Sequence, residues 1–239
     1  MKEKVVFCWS GGKDSALALH RLLGDDRYQV VSLLTTCNER FRRVSMHGVR
    51  IELLEAQAAA LGLPIEEIFV RDHGSNEEYE RAMAACLTAH QRRGVTACAF
   101  GDIFLQDLRQ WREANLARVG LRALFPLWQS DTRKLVGDFL GLGFSALVCC
   151  ANAAYLGRDA VGCPLTQAYV ACLPRDVDPC GENGEFHSFA HAGPIFRHPV
   201  RFKIGEIVYR AIEPAPSEPV HPGSRSTRGF WYCDLAPAP

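Results

Sequence analysis

The chain has 239 residues, 48% of them hydrophobic, so it can bury a full core in one large domain or two small ones. Its 27 basic and 27 acidic side chains cancel, which argues against bulk affinity for nucleic acid or a membrane surface. No apolar run is long enough to span a bilayer, and Met1-Lys2-Glu3-Lys4 leads straight into a strand-like run, so a cytoplasmic location is expected.

Val5 to Trp9 predicts a buried first strand, followed by the turn Ser10-Gly11-Gly12-Lys13-Asp14-Ser15 and a helix over Ala16 to Leu23. Val30 to Thr35 predicts a second buried strand, largely apolar, as suits a parallel sheet covered on both faces. Thr36 to Met46 is expected as a polar, arginine-containing loop. Val49, Leu53, Ala56 and Ala60 recur at helical spacing within Gly48 to Leu61, and Gly62 and Pro64 stop that helix. A third strand is expected at Ile65 to Val70, a helix at Asn76 to Arg93, and a fourth strand at Ala97 running into a turn at Gly101-Asp102. A helix over Gln106 to Val119 and a short strand before Pro126 complete this half.

Beyond Trp128 the pattern predicts a helix over Thr132 to Leu142 and a strand over Ala146 to Cys150. A further helix is expected over Pro164 to Leu173, antiparallel strands over Phe196 to Ile212, and a last strand over Gly229 to Leu235. Glu213 to Ser226, rich in Pro, Ser and Gly, is expected as a solvated loop. There is no internal repeat. The expectation is an α/β fold, a doubly wound parallel sheet with a second, smaller mixed α/β domain, divided as residues 1–127 and 128–239.

The first turn carries the chemistry. A buried strand, a glycine turn and a helix together build an anion site: the glycines allow close approach, and the helix presents free N–H groups and its positive end. Ser10 and Ser15 add hydroxyls, and Lys13 adds a point charge suited to phosphate oxygens. The spacing is not that of a Walker loop, because Lys13 is followed by Asp14 and the turn is too short to wrap a phosphate pair in that way. In a doubly wound sheet, ligands sit at the carboxyl ends of strands. The loops after strands one, two and four are therefore expected to converge, bringing Ser10 to Ser15, Thr36 with Cys37, and Gly101 with Asp102 to one crevice. Asp102 there suits magnesium or a ribose, although a turn or cap role fits it nearly as well. His47 is a further candidate for the nucleotide side.

A second constellation packs Cys180-Gly181-Glu182-Asn183-Gly184-Glu185-Phe186-His187 into eight residues. Acid-bearing glycine turns are common hairpin material. The functional reading gives Glu182 and Glu185 the orientation of an amine and acceptance of its proton, Asn183 a hydrogen bond to an acceptor, and His187 a proton shuttle near neutral pH. His187 and His191 share a face but lack a third ligand, and no metal ligand set is expected. His20 and His90 are expected as surface or packing residues. The ten cysteines contain no Cys-x-x-Cys pair, so reduced, mostly buried thiols are expected, Cys180 alone being kept as a chemical candidate.

The Ser-Gly-Gly-Lys-Asp-Ser string resembles the loop of the ATP pyrophosphatases. With Met46-His47, Gly101-Asp102-Ile103, Arg112-Glu113, Gly120-Leu121, Pro126-Leu127-Trp128, Gly181 to His187 and Gly193 to Phe196, the chain resembles the diphthine–ammonia ligases and their bacterial relatives. That resemblance implies an adenine nucleotide α hydrolase-type domain and a smaller domain whose Gly-Glu-x-Gly-Glu turn faces ATP. It further implies an AMP- and pyrophosphate-forming amide ligase using ATP and Mg2+, with ammonia and a carboxylate-bearing acceptor as partners. The implied catalytic residues are Lys13, Glu182, Glu185 and His187. Ser10 to Ser15, Thr36, His47, Gly101 and Asp102 would hold the nucleotide, and Gly181 to Glu185 the acceptor. Archaeal and eukaryotic members have Gly-Glu-Gly-Gly-Glu-Tyr-Glu at the second motif. Asn183, Phe186 and His187 depart from it and resemble the bacterial branch, leaving the acceptor and a homodimer open. The alternatives are an ATP-dependent tRNA-base-modifying enzyme and a non-catalytic nucleotide sensor.

Overall fold

The computed structural model describes residues 2–45, 47–71, 76–211 and 229–238. Met46 and the expected loop at Glu213 to Ser226 lie outside them. Among the described residues no helix is long and apolar enough to cross a membrane.

Sheet A contains β1 (Glu3–Cys8), β2 (Tyr28–Asn38), β3 (Arg43–Val44), β4 (Ile65–Val70), β5 (Ala97–Ala99) and β6 (Arg122–Leu124). β6, β5, β1 and β2 lie side by side and parallel. β2 also pairs in parallel with β4 and, past the end of β1, antiparallel with the two-residue β3. The helices between them are α1 (Lys13–Leu23), α2 (Ile51–Leu61), α3 (Asn76–Arg92) and α4 (Gln106–Arg118). Sheet B is antiparallel in the order β8 (Phe186–Ala192), β7 (Ser145–Asn152), β10 (Gly229–Pro237), β9 (Phe202–Ala211). α5 (Thr132–Gly141) precedes β7, and the short α6 (Gln167–Ala171) follows it.

β1 shows why the sheet is parallel and enclosed. Val5 and Phe7 enter one apolar core with Leu17, Leu53 and Phe189, whereas Val6 enters a second with Leu87, Cys98 and Leu116. Both faces are thus buried, as a run without polar alternation requires. The first core runs on into sheet B through Leu147, Cys149, Phe189 and Cys233, so the two sheets share it.

Several boundaries differ from the sequence reading. α1 begins at Lys13, so Lys13, Asp14 and Ser15 form its first turn. β2 continues through Thr36 and Cys37, because β3 and β4 supply ladder partners beyond the reach of β1. Pro164 lies outside α6 and bridges to Leu147. Over the described part of Phe196 to Ile212 there is one strand, β9. β8, hidden behind the polar turn, was not anticipated.

One polar residue in the core locks the first turn to sheet B. Gln57 of α2 is 0% exposed. Its Oε1 accepts from Trp9 Nε1 at 2.8 Å, and its Nε2 donates to the carbonyls of Gly11 at 3.0 Å and Ala190 at 2.6 Å. The Ala190 N–H also donates to Gly11 O at 2.8 Å. Gly11 adopts φ +79°, and a Cβ there would lie 2.8 Å from Gln57 Oε1, so only glycine fits. Gln57→Leu strands the Trp9 N–H and the Ala190 carbonyl. It is expected to lower unfolding stability by about 2–4 kcal/mol, read from the urea midpoint at unchanged slope. A loss under about 0.5 kcal/mol, the ordinary surface range, would contradict this role.

Candidate active site

A cleft of about 580 Å³ opens at the carboxyl ends of β1, β2 and β5 and is closed on its far side by the turn leading into β8. Ser10, Lys13, Asp14 and Ser15 line it from the first turn, Thr36 from β2, His47 from the loop after β3, and Gly101 and Asp102 from beyond β5. Gly181, Glu182, Asn183, Gly184 and His187 face them. The loops expected from the sequence to converge do so, but Gly11, Gly12, Cys37 and Glu185 do not line the cleft, Cys37 being buried in the first apolar core.

The first turn is braced before any ligand arrives. Ser10 Oγ and Ser15 Oγ are 2.8 Å apart, Ser10 Oγ accepts from Gly12 N at 3.3 Å, and Lys13 N donates to Ser188 Oγ at 3.1 Å. Ser188, on β8, was not singled out from sequence. Gly101 lets the β5 turn approach: a Cβ there would sit 2.9 Å from Ser15 N.

Lys13 spans the two halves. Only 3% exposed, it donates from Nζ to Asp14 Oδ2 at 2.7 Å and to the Cys180 carbonyl, with Nζ 5.3 Å from the centre of the Phe186 ring. An ammonium has three donors, so one remains for a ligand. Burial opposes its charge, but Asp14, by charge and hydrogen bond and with help from Glu182, outweighs it and holds the amine above the ordinary lysine pKa.

The two acids of the turn divide. Glu185, 1% exposed, accepts from the backbone N–H groups of Asp178 and Asn183 and from Asn183 Nδ2, each at 3.0 Å. Its carboxylate braces the turn from inside, which corrects the expectation that it handles the amine. Asn183, whose side-chain amide is bonded to Glu185, is likewise part of that brace. Glu182 faces the cleft and accepts from Ile103 N at 2.7 Å. Burial pushes its pKa up to about 7; the Ile103 N–H pulls it down, and Asp14 and Asp102 push it further up.

Asp102 is engaged by Arg112, with Nε 2.6 Å from Oδ2, and the guanidinium lies 4.2 Å from the centre of the Phe100 ring. No local spacing in the sequence announced that pair. The His47 and His187 rings lie against each other, tilted by 35° with centres 4.5 Å apart, and His47 Nδ1 lies 3.3 Å from the Ser188 carbonyl. That carbonyl can only accept, so Nδ1 carries the proton. Burial and Lys13 push His47 down to about 4, and burial, His47 and Lys13 hold His187 well below the ordinary histidine value. His187 is thus neutral at pH 7, which corrects the expected proton shuttle. Its Nε2 is buried, without a protein partner, in the wall of the cleft.

All ten cysteines are free. Burial pushes the Cys180 thiol well up, and its Sγ lies 3.4 Å from the Thr132 carbonyl, so it is a protonated packing group and not a nucleophile.

Family models described as the diphthamide synthase N-terminal domain and the diphthamide synthase C-terminal domain match residues 3–123 and 131–213. The chain belongs to the diphthamide synthase family. Among its relatives is the diphthine–ammonia ligase of Schizosaccharomyces pombe, 26% identical over 226 residues that cover 86% of this chain and 37% of that protein. This chain therefore spans little more than a third of that relative. The diphthine–ammonia ligases of Bos taurus and Homo sapiens are 24% and 22% identical over 233 residues, covering 88% of this chain and 86% of each relative. Both matched segments of the diphthamide synthase pattern contribute walls of the cleft, the first through Lys13 and Asp102 and the second through Glu182 and His187.

Proposed function

We propose that this protein is an ATP-dependent amide ligase that adenylates a carboxylate, releases pyrophosphate and transfers ammonia to the acyl group, releasing AMP. The observation that carries this reading is the position of Lys13, bonded at once to Asp14 and to the turn that holds Glu182, across one cleft. Relatives named diphthine–ammonia ligase support the reaction class.

In this reading the acceptor carboxylate attacks the α-phosphorus and the bond to the β-phosphate oxygen breaks. The spare Lys13 donor and the first turn of α1 stabilise the departing pyrophosphate. Ammonia then attacks the acyl carbon and AMP leaves. The proton lost from nitrogen passes to Glu182, whose pKa near 7 suits a base at neutral pH. His187 Nε2, neutral and unpartnered, hydrogen-bonds the bound reactants. The donor set fits Mg2+: Asp14, Asp102 and Glu182 line one cleft, and the first two raise the pKa of the third. Asp14 and Asp102 would hold the ion, which would supply charge neutralisation for the triphosphate.

Neutral imidazoles at His47 and His187 present no charge of their own to the acceptor, which is proposed only as a carboxylate-bearing protein side chain or small molecule. Incubation with ATP, magnesium, ammonium and a panel of carboxylates, followed by nucleotide analysis, tests the reading. AMP and pyrophosphate appearing only with both ammonium and a carboxylate support it. ATP binding with no turnover for any acceptor favours a sensor, and turnover that depends on tRNA favours base modification. Either outcome replaces the proposal.

A further inference from the structure

Away from the cleft, three side chains bring together the donor types of a zinc site. Glu66 on β4 and Cys86 and His90 on α3 place a carboxylate oxygen, a sulfur and an imidazole nitrogen within 4.8 Å of one another. Among the described residues this is the one such group. Cys86 and His90 stand one helical turn apart and so share a face of α3, which packs on β4.

The geometry is close to assembled. Cys86 Sγ is 3.1 Å from Glu66 Oε1, and His90 Nε2 is 3.0 Å from Glu66 Oε2. Tetrahedral zinc with bonds of about 2.0–2.3 Å sets its donors about 3.3–3.8 Å apart, so small side-chain rotations admit the ion. His90 is 6% exposed and Glu66 45%, which leaves the fourth position open towards solvent for a water. An ion held there would have buried His90 on the helix side and an entry path past Glu66 on the other.

We propose that Glu66, Cys86 and His90 bind a zinc ion that clamps β4 to α3. Binding forms Sγ–metal and Nε2–metal bonds: the thiol proton and the Nε2 proton that faces Glu66 pass to solvent, and the ring binds as the neutral tautomer with its proton on Nδ1. The metal-free chain keeps the same atoms satisfied by hydrogen bonds to Glu66, so the fold does not depend on the ion. The helical pattern around His90 suggests only a surface or packing residue, and its partners Cys86 and Glu66, 4 and 24 positions away, form no recognised ligand spacing.

The test is titration of the chelator-treated chain with Co2+, reading the thiolate-to-cobalt charge-transfer band and its displacement by Zn2+. The expected result is a band saturating at one equivalent per chain, abolished in Cys86→Ser and weakened in Glu66→Gln, with native circular dichroism in both variants. Zn2+ is expected to raise the unfolding temperature of the wild type and not of Cys86→Ser. No band, a band of equal strength in Cys86→Ser (one of the other nine thiols), or unchanged affinity in Glu66→Gln overturns the proposal. None of these readings requires nucleotide or turnover, so they stand or fall apart from the ligase assignment.

Discussion

Lys13→Met is expected to slow release of AMP and pyrophosphate by about 10²–10³-fold with the fold retained. The methionine keeps the apolar stem against Phe186, over which the ammonium now sits at 5.3 Å. What it removes is the donor that the proposed mechanism directs at the departing phosphates. Asp14 loses its partner, but its side chain is 26% exposed at the cleft, where water compensates part of the loss. The fold should therefore tolerate the change better than catalysis does. Single-turnover rates with saturating ATP separate the two effects, and a wild-type rate of pyrophosphate release would remove Lys13 from the mechanism.

Glu182→Gln is expected to cost about 10²-fold or more in the ammonia-transfer step and to change the pH profile. In the wild type the carboxylate must be ionised to take the proton, so activity rises with pH through about 7. The glutamine variant keeps the acceptor oxygen for the Ile103 N–H and loses that rise. Stability moves in the opposite sense. The folded chain holds this proton more tightly than the unfolded chain, whose ordinary value is 4.5, so the protonated group favours folding at low pH. That contribution is lost as pH climbs from about 4.5 through about 7, and Glu182→Gln abolishes it. Urea midpoints at pH 5 and pH 8 read the difference; an identical shift in wild type and variant would show that Glu182 does not titrate there.

Much of this site was legible because its parts are local. Ser10 to Ser15 announces a strand, a turn and a helix in consecutive residues, and the apolar runs of β1 and β2 imply an enclosed parallel sheet with ligands at its carboxyl ends. The rest depends on which way side chains face after a turn. Glu182 and Glu185 are the same residue type three positions apart, yet the turn closed by Gly181 and Gly184 sends one to the cleft and the other into the protein. Asp102 with Arg112, and Gln57 with Trp9 and Ala190, join elements that only the folded chain brings together. The state of His187 was misjudged for a related reason. Its ordinary pKa suggests a shuttle, whereas burial beside His47 and Lys13 keeps it neutral.

Placement of the nucleotide decides the account. A crystal structure with a non-hydrolysable ATP analogue should show the β,γ-phosphates against Lys13 and the first turn of α1, with the α-phosphorus turned towards Glu182 and His187. A triphosphate bound elsewhere, or seated in the cleft with its α-phosphorus facing away from the Gly181 to His187 turn, would contradict it.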